Sequence, residues 1–163
     1  MPEAGLFSAA EMVEIAVQLE QNGQGFYLAA SLRAANPEAK QLLELLAREE
    51  ERHERVFRAM QPVETEHRPP AGEPGERSAY IQALLEERLL PSEDLVAKVL
   101  PSLGGDAEVL NFALGFEKDT ILFYYEMRHV MGGAHREIMD DILTQEKSHV
   151  ERLRRMCRVC QRP

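Results

Sequence analysis

The chain has 163 residues, of which 44% are apolar and 29% charged, which is typical of a soluble globular protein with one domain. Its 28 acidic and 19 basic residues give a net charge of -9, which argues against a nucleic-acid-binding protein and against attachment to an anionic membrane surface. No apolar run is long enough for a membrane helix, no segment has the pattern of a signal peptide, and two cysteines exclude a disulfide framework. We therefore expect a cytoplasmic protein with a single domain over residues 1–163.

Two helices separated by a short break are predicted in the first third of the chain. The first begins near Ser8, a suitable N-cap, and carries apolar residues at spacings of three and four up to about Ala35. Asn36 and Pro37 end it, because the residue before a proline is displaced from the helical region. Pro37 suits the first position of the second helix, which continues to about Met60.

A long crossover follows this pair of helices. Residues 61–77 are rich in Pro and Gly and show no apolar period, which predicts a loop. Residues 78–100 predict one or two short helices that are broken at Pro91 and capped by Ser78 and Ser92. The sequence therefore predicts a crossover made of a loop followed by one or two short helices.

Two further long helices are predicted in the last third of the chain. The third runs from about 106 to 131 and ends at Gly132 and Gly133, and the fourth continues to about Cys160. No segment alternates with the two-residue period of a half-buried strand. The sequence therefore predicts an all-α fold, a four-helix bundle in which the crossover 61–105 joins two helical hairpins.

The two hairpins carry the same pattern of side chains. Each first helix has a Glu followed seven residues later by a Tyr, and each second helix has a Glu followed three residues later by a His. The two sets are Glu20, Tyr27, Glu50 and His53, and Glu117, Tyr124, Glu146 and His149. Each Glu lies about 13 to 16 residues from the turn of its hairpin, so a rise of about 1.5 Å per residue brings the four carboxylates to similar heights. The Tyr side chains stay on the same face, where a phenol can donate to a carboxylate.

Four carboxylates inside a bundle need counter-charge, and two divalent cations would supply it. Oxygen and imidazole ligands suit iron or manganese, with zinc as a further alternative. One Glu from each of two helices with Glu-x-x-His from each of the other two is the known arrangement of di-iron carboxylate bundles. The alternative is a charged bundle whose Glu and His side chains all lie on the surface. We predict a metal site formed by Glu20, Glu50, His53, Glu117, Glu146 and His149.

Other matches to the Glu-x-x-His pattern are not expected to bind metal. Glu126 with His129 follows the third-helix ligand by nine residues, so this pair points to the opposite side of the helix. Glu64 with His67 falls in the predicted loop. A one-residue shift of the ligand from Glu50 to Glu49 is an alternative that spacing leaves open. The acids beside Glu50 are otherwise predicted to form a solvated face: Glu49, Glu51 and Glu54.

With these residues, the chain resembles the rubrerythrin-like branch of the ferritin-like superfamily over about residues 8–60 and 106–156. The resemblance implies a ferritin-like bundle with a non-haem centre of two iron ions, a homodimer, and peroxide or dioxygen as the oxidant. Carried over by position, the implied iron ligands are the carboxylates Glu20, Glu50, Glu117 and Glu146 and the imidazoles His53 and His149, with Tyr27 and Tyr124 as hydrogen-bond donors behind them.

The chain departs from the family pattern at two places. Rubrerythrins carry an additional Glu one turn after the third-helix ligand, and here that position is Thr120. They also add a small iron–sulfur domain with four Cys, whereas this chain has a single Cys-x-x-Cys in the tail 157–163. Two thiolates do not complete a four-ligand site, which leaves a site shared between subunits, a redox pair or a vestige.

Three functions are consistent with these residues. In the first, which we expect, iron in this site reduces peroxide or dioxygen with electrons from an external donor. In the second, the protein oxidises ferrous ions and passes on or stores the product. In the third, a non-catalytic bundle uses metal only for stability, or binds a partner through the crossover 61–105.

Overall fold

The computed structural model describes residues 7–60, 74–86 and 94–161, and within these ranges every regular element is helical. In each hairpin the two long helices pack along one another, and the hairpins meet through their first helices and through their second helices. The fold is an all-α four-helix bundle of two hairpins joined by a crossover, as predicted. In chain order the helices are α1 (Ala9–Arg33), α2 (Pro37–Ala59), α3 (Pro74–Leu84), α4 (Leu100–Ser102), α5 (Asp106–Val130) and α6 (Gly133–Cys160), with a π-helical stretch over Leu95–Val99.

The first hairpin begins and turns at the residues that the sequence indicates. The Ser8 side chain accepts from the backbone N–H of Glu11, whose carboxylate accepts from the Ser8 backbone N–H, forming a capping box. Asn36 is the N-cap of α2, and its Oδ1 accepts from two backbone N–H groups at 2.8 and 3.1 Å. Pro37 occupies the first helical position, where its missing N–H costs nothing.

The turn of the first hairpin is tied to the start of the second. The Asp106 carboxylate accepts from the backbone N–H of Ala35 at 3.2 Å and of Asn36 at 2.7 Å. The Arg33 guanidinium donates to the carbonyl oxygens of Leu100 and Leu103 at the end of the crossover. These contacts use donors and acceptors that helix ends leave unpaired, and they set the height of α5 relative to α1 and α2.

The first helix of the crossover begins earlier than the sequence predicts. Helix α3 begins at Pro74, inside the segment predicted as a loop, so the predicted cap Ser78 lies within the helix and that prediction is wrong. Proline is well tolerated in the first turn of a helix, and a high content of Pro and Gly obscured this start. A second helical piece begins after Asp94, whose carboxylate caps Leu95–Val99 by accepting from two backbone N–H groups. The predicted break at Pro91 and the predicted cap Ser92 lie outside the described residues.

Two apolar clusters fill the bundle, one on each side of its middle level. In α1 the first cluster takes residues up to Leu19 and the second takes residues from Phe26 onward. The other three long helices change cluster in the same way, and on α2 the change falls between Ala47 and Phe57. The level between the clusters carries the repeated Glu and His residues. The site is therefore enclosed along the bundle axis by packed hydrocarbon on both sides.

Not all apolar residues on the predicted helical faces are buried. Leu28 is 49% exposed and Leu32 is 83% exposed, although both continue the apolar spacing of α1. The buried face of this helix continues through Tyr27, Ala30 and Ser31, and the two leucines lie beside that face. None of the helices in the described ranges is both long and apolar enough to cross a membrane.

Candidate metal centre

Six acidic and imidazole side chains converge between the two apolar clusters, three from each hairpin. None of the six is more than 3% exposed. All six were predicted as ligands from the repeated pattern, and the structure brings all of them together. They are Glu20 from α1, Glu50 and His53 from α2, Glu117 from α5, and Glu146 and His149 from α6.

One ring nitrogen of His53 faces carboxylates from three helices. Its Nδ1 lies 2.9 Å from Glu146 Oε1, 3.3 Å from Glu50 Oε2 and 3.5 Å from Glu20 Oε2. The opposite nitrogen, Nε2, lies 3.2 Å from Gln145 Oε1. Because this amide oxygen can only accept a hydrogen bond, Nε2 keeps its proton. Nδ1 is therefore the nitrogen that can lose its proton and bind a cation.

His149 has the equivalent surroundings in the other half of the site. Its Nδ1 lies 3.0 Å from Glu146 Oε2, 3.2 Å from Glu50 Oε1 and 3.3 Å from Glu117 Oε1. Glu50 and Glu146 therefore each present one oxygen to each histidine. The two imidazole rings stack with centroids 5.5 Å apart and planes 18° from parallel.

The ligand atoms form two overlapping groups, and within each group they lie within 4.8 Å of one another. Glu50 and Glu146 belong to both groups. Each group adds one further carboxylate and one histidine: Glu20 and His53 in the first, Glu117 and His149 in the second. Two adjacent positions that share two carboxylates are the geometry that a dinuclear centre requires.

The tyrosines connect the two hairpins across the site. Tyr27 on α1 donates to Glu117 Oε1 on α5, and Tyr124 on α5 donates to Glu20 Oε1 on α1. The sequence placed each phenol on the correct face of its helix but did not show that it reaches the carboxylate of the opposite hairpin. Both phenols are at most 1% exposed, so each bond fixes the orientation of one carboxylate in a dry environment.

Glu49 is a site residue that the sequence analysis misplaced. It was assigned to a solvated face, but its carboxylate lies 3.0 Å from His149 Nε2 and is also paired with Arg152. The contact with His149 is an ion pair, not an aligned hydrogen bond. Burial opposes ionisation, yet His149 and Arg152 together lower the pKa of Glu49 to about 2. Its position directly before Glu50 was the only available signal.

The remaining predictions around Glu50 divide into correct and incorrect ones. The buried residue is Glu50 itself, so the alternative shift to its neighbour is wrong. Glu51 is exposed, as predicted. The Glu54 side chain is only 16% exposed and accepts from Gln21 Nε2 at 3.0 Å, so it does not belong to a solvated face.

The position of the family's additional Glu is buried at the site. Thr120 is 3% exposed, and its hydroxyl has no hydrogen-bond partner among the described residues. Gly23 occupies the equivalent position in the other hairpin, where a Cβ atom would lie 3.4 Å from Glu50 Cγ. These two equivalent positions therefore carry a small hydroxyl side chain in one hairpin and no side chain in the other.

The four carboxylates of the site have different pKa values. Burial raises the pKa of Glu20 and of Glu50, and repulsion from the neighbouring carboxylates raises both further. Burial and Glu146 raise the pKa of Glu117 to about 7, although His149 opposes this. The pKa of Glu146 is instead held well below its usual range, because both histidines outweigh the effect of its burial.

The carboxylates around the two histidines favour the protonated form of each imidazole. Burial lowers the pKa of each imidazole, but the surrounding carboxylates outweigh it and hold both pKa values well above the usual range. A proton on each of His53 and His149 is thus favoured, and its positive charge lies beside the carboxylates. Divalent cations can replace those protons.

The buried polar atoms that lack a hydrogen bond among the described residues are consistent with the exchange of protons for cations at this site. Every buried side-chain oxygen or nitrogen that lacks a hydrogen bond within the described ranges belongs to this site. These atoms are His53 Nδ1, both carboxylate oxygens of Glu146, His149 Nε2 and Thr120 Oγ1. His53 Nδ1 and the two Glu146 oxygens belong to the ligand groups, and the four Glu and two His provide oxygen and imidazole donors that suit iron or manganese.

Metal affinity is expected to rise with pH. The raised pKa values of His53, His149 and Glu117 mean that these groups bind protons near neutral pH, and a metal ion must displace them. Each proton released makes the affinity rise about tenfold per pH unit. Calorimetric titration with Mn²⁺ between pH 6 and pH 8, in buffers of different ionisation enthalpy, counts these protons. Binding without proton release would contradict this distribution of charge.

The other candidate residues lie away from the centre. His129 is exposed and Glu126 is partly buried, and neither belongs to the two ligand groups. Glu64 and His67 lie outside the described residues. The thiols of the Cys-x-x-Cys are both free, on the last turns of α6, and Cys157 packs into an apolar cluster. Burial raises the pKa of both thiols, so neither is an activated thiolate.

The fold and the site define a ferritin-like four-helix bundle with a buried cluster of carboxylates and histidines. A protein from Thermotoga maritima described as a ferritin-like diiron-carboxylate protein has the same fold, with a TM-score of 0.75 and 26% sequence identity over 96% of this chain and 98% of that chain. A hypothetical protein from Pyrococcus furiosus, 20% identical, shares the fold with a TM-score of 0.62 over 94% of this chain and 90% of that chain. Among curated proteins, none matches this sequence significantly.

The sequence model of the rubrerythrin family matches residues 11–157, and the chain therefore belongs to the rubrerythrin family. The matched range includes nearly all of the four long helices and the whole crossover, and it contains every residue of the two ligand groups.

Proposed function

We propose that this protein is a di-iron carboxylate oxidoreductase that reduces peroxide or dioxygen. The observation that carries the proposal is the pair of overlapping ligand groups, in which Glu50 and Glu146 each offer one oxygen to each half of the site. His53 with Glu20 completes one half, and His149 with Glu117 completes the other. When bound there, two iron ions would supply the electrons that reduce the oxidant.

The side chains around the ligands support this role. Tyr27 and Tyr124 hold the two unshared carboxylates by hydrogen bonds from the opposite hairpin, so the ligand positions are set before a cation enters. Apolar clusters on both sides keep water out along the bundle axis.

The electrons must come from outside the site. The described chain offers two free thiols, and two thiolates do not complete a four-ligand iron–sulfur centre. We therefore propose an external electron donor. As the family resemblance implies, we also propose a homodimer, and we place the protein in the cytoplasm.

Iron loading followed by oxidant tests the proposal. The purified protein is loaded anaerobically with Fe²⁺, mixed with peroxide or dioxygen, and followed by near-ultraviolet absorbance with a reductant present. We expect about two iron ions per chain and repeated consumption of oxidant. Glu146→Gln should lose both, whereas Glu126→Gln, on the same bundle but outside the ligand groups, should retain both.

The other candidate functions give different results in the same experiment. Iron uptake well beyond two per chain, with one round of oxidation, would replace this proposal with an iron-handling function. Bound metal with no consumption of either oxidant would indicate a bundle that uses metal for stability alone. The absence of any bound metal would exclude both iron functions and leave a structural or partner-binding bundle.

A further inference from the structure

The Nε2 atoms of His53 and His149, which face away from the shared carboxylates, contact different side chains. Glu49 and Gln145 occupy equivalent positions, each one residue before a shared carboxylate, and each contacts the histidine of the opposite hairpin. Glu49 Oε2 lies 3.0 Å from His149 Nε2, and Gln145 Oε1 lies 3.2 Å from His53 Nε2. The six ligands repeat between the hairpins, but this pair does not.

Glu49 and Gln145 also differ in the groups that hold their side chains in place. The Glu49 carboxylate is paired with the Arg152 guanidinium at 2.5 Å, which keeps it in place beside His149. The residue equivalent to Arg152 in the first hairpin is Val56, so the position corresponding to Arg152 carries no positive charge beside Gln145. The Gln145 amide donates from Nε2 to the Asp141 carbonyl at 3.4 Å, which turns its oxygen toward His53.

A carboxylate behind a metal-bound imidazole acts differently from an amide. A negatively charged carboxylate beside the far ring nitrogen increases the basicity of the nitrogen that binds the metal, and a neutral amide does so less. The additional charge of Glu49 also attracts a cation to the same half of the site. Both effects favour the position beside His149.

We infer that the two metal positions are inequivalent, and that the position formed by His149, Glu117 and the shared carboxylates is occupied first. Glu49 and Gln145 are the positioning residues that set this order. The inference rests on the proposed function only in requiring that the site binds two metal ions. Stepwise binding constants alone do not establish it, because repulsion between two cations weakens the second step in any symmetric site.

The location of the first ion tests the inference. Crystals of the protein with one equivalent of Mn²⁺ should show anomalous density beside His149 Nδ1 and little beside His53 Nδ1. The doubly substituted Glu49→Gln/Gln145→Glu protein has the same net charge, and its first ion should move to His53. In solution, Glu49→Gln should weaken binding of the first Mn²⁺ by about 10- to 100-fold.

Glu51→Gln is the matched control, because it removes one acid on the same helix at an exposed position. It should leave both the affinity and the location of the first ion unchanged, and circular dichroism should show that all variants are folded. An even distribution of the first ion, or no movement in the double variant, would overturn this inference while leaving the proposed function intact. Failure of the unsubstituted protein to bind any Mn²⁺ or Fe²⁺ would overturn both.

Discussion

Glu146→Ala is expected to abolish binding of both metal ions at concentrations that saturate the unsubstituted protein. Each oxygen of Glu146 faces a different histidine, at 2.9 Å from His53 and 3.0 Å from His149, so one substitution removes a ligand from both positions. Glu50 is shared in the same way, and Glu50→Ala should have the same effect. Metal content after loading, measured by plasma emission spectrometry, checks the result.

Two further variants show whether the loss comes from the ligand or from the fold. Glu146→Gln keeps the side-chain volume while removing the charge, so it should stay folded and still bind no metal. Glu126→Ala removes an acid of the bundle that lies outside both ligand groups, and it should retain two ions per chain. Loss of metal in Glu126→Ala with retention in Glu50→Ala would mean that the wrong helix face was assigned as the site.

Removal of metal is expected to lower the free energy of unfolding by about 3 to 4 kcal/mol relative to the protein in excess metal. A ligand that binds only the folded state stabilises it by about 2.7 kcal/mol at 100 times its Kd and about 4.1 kcal/mol at 1,000 times. For a chain of this size the change corresponds to a fall in Tm of roughly 10 °C. Thermal unfolding with Mn²⁺ and with a chelator measures it.

The effect of metal on the free energy of unfolding should be absent in a variant that cannot bind metal. In Glu146→Gln, the unfolding curves with Mn²⁺ and with chelator should coincide, because neither position can be filled. Equal Tm values for the unsubstituted protein in both conditions would show that the buried carboxylates are balanced by protons alone and that the cluster gains nothing from cations.

The long helices and the composition of the ligand groups were accessible from the sequence. Ser8, Asn36 and Pro37 set the predicted ends of the first hairpin through local hydrogen bonding and a fixed backbone angle, and the structure confirms them. The convergence of all six site residues followed from spacing, because three residues along a helix keep one face and equal distances from a turn give equal heights.

Other features depended on contacts that no spacing rule describes. The contact of Glu49 with His149 requires the opposite hairpin, and so does the hydrogen bond from Tyr27 to Glu117. The partners in both contacts lie far apart in the sequence. The start of α3 at Pro74 was instead hidden by composition, and the exposure of Leu32 was not apparent from apolar spacing.

The sequence by itself thus determined the class of fold, the four long helices and which Glu and His share one level, because these follow from periodicity along a single helix. Only the tertiary structure decided which oxygen faces which histidine, that each tyrosine binds the carboxylate of the other hairpin, and that Glu49 and Gln145 support the two halves differently. The physical reason is that periodicity sets height and face within a helix, whereas the rotation of helices against one another is set by the packing of both apolar clusters together.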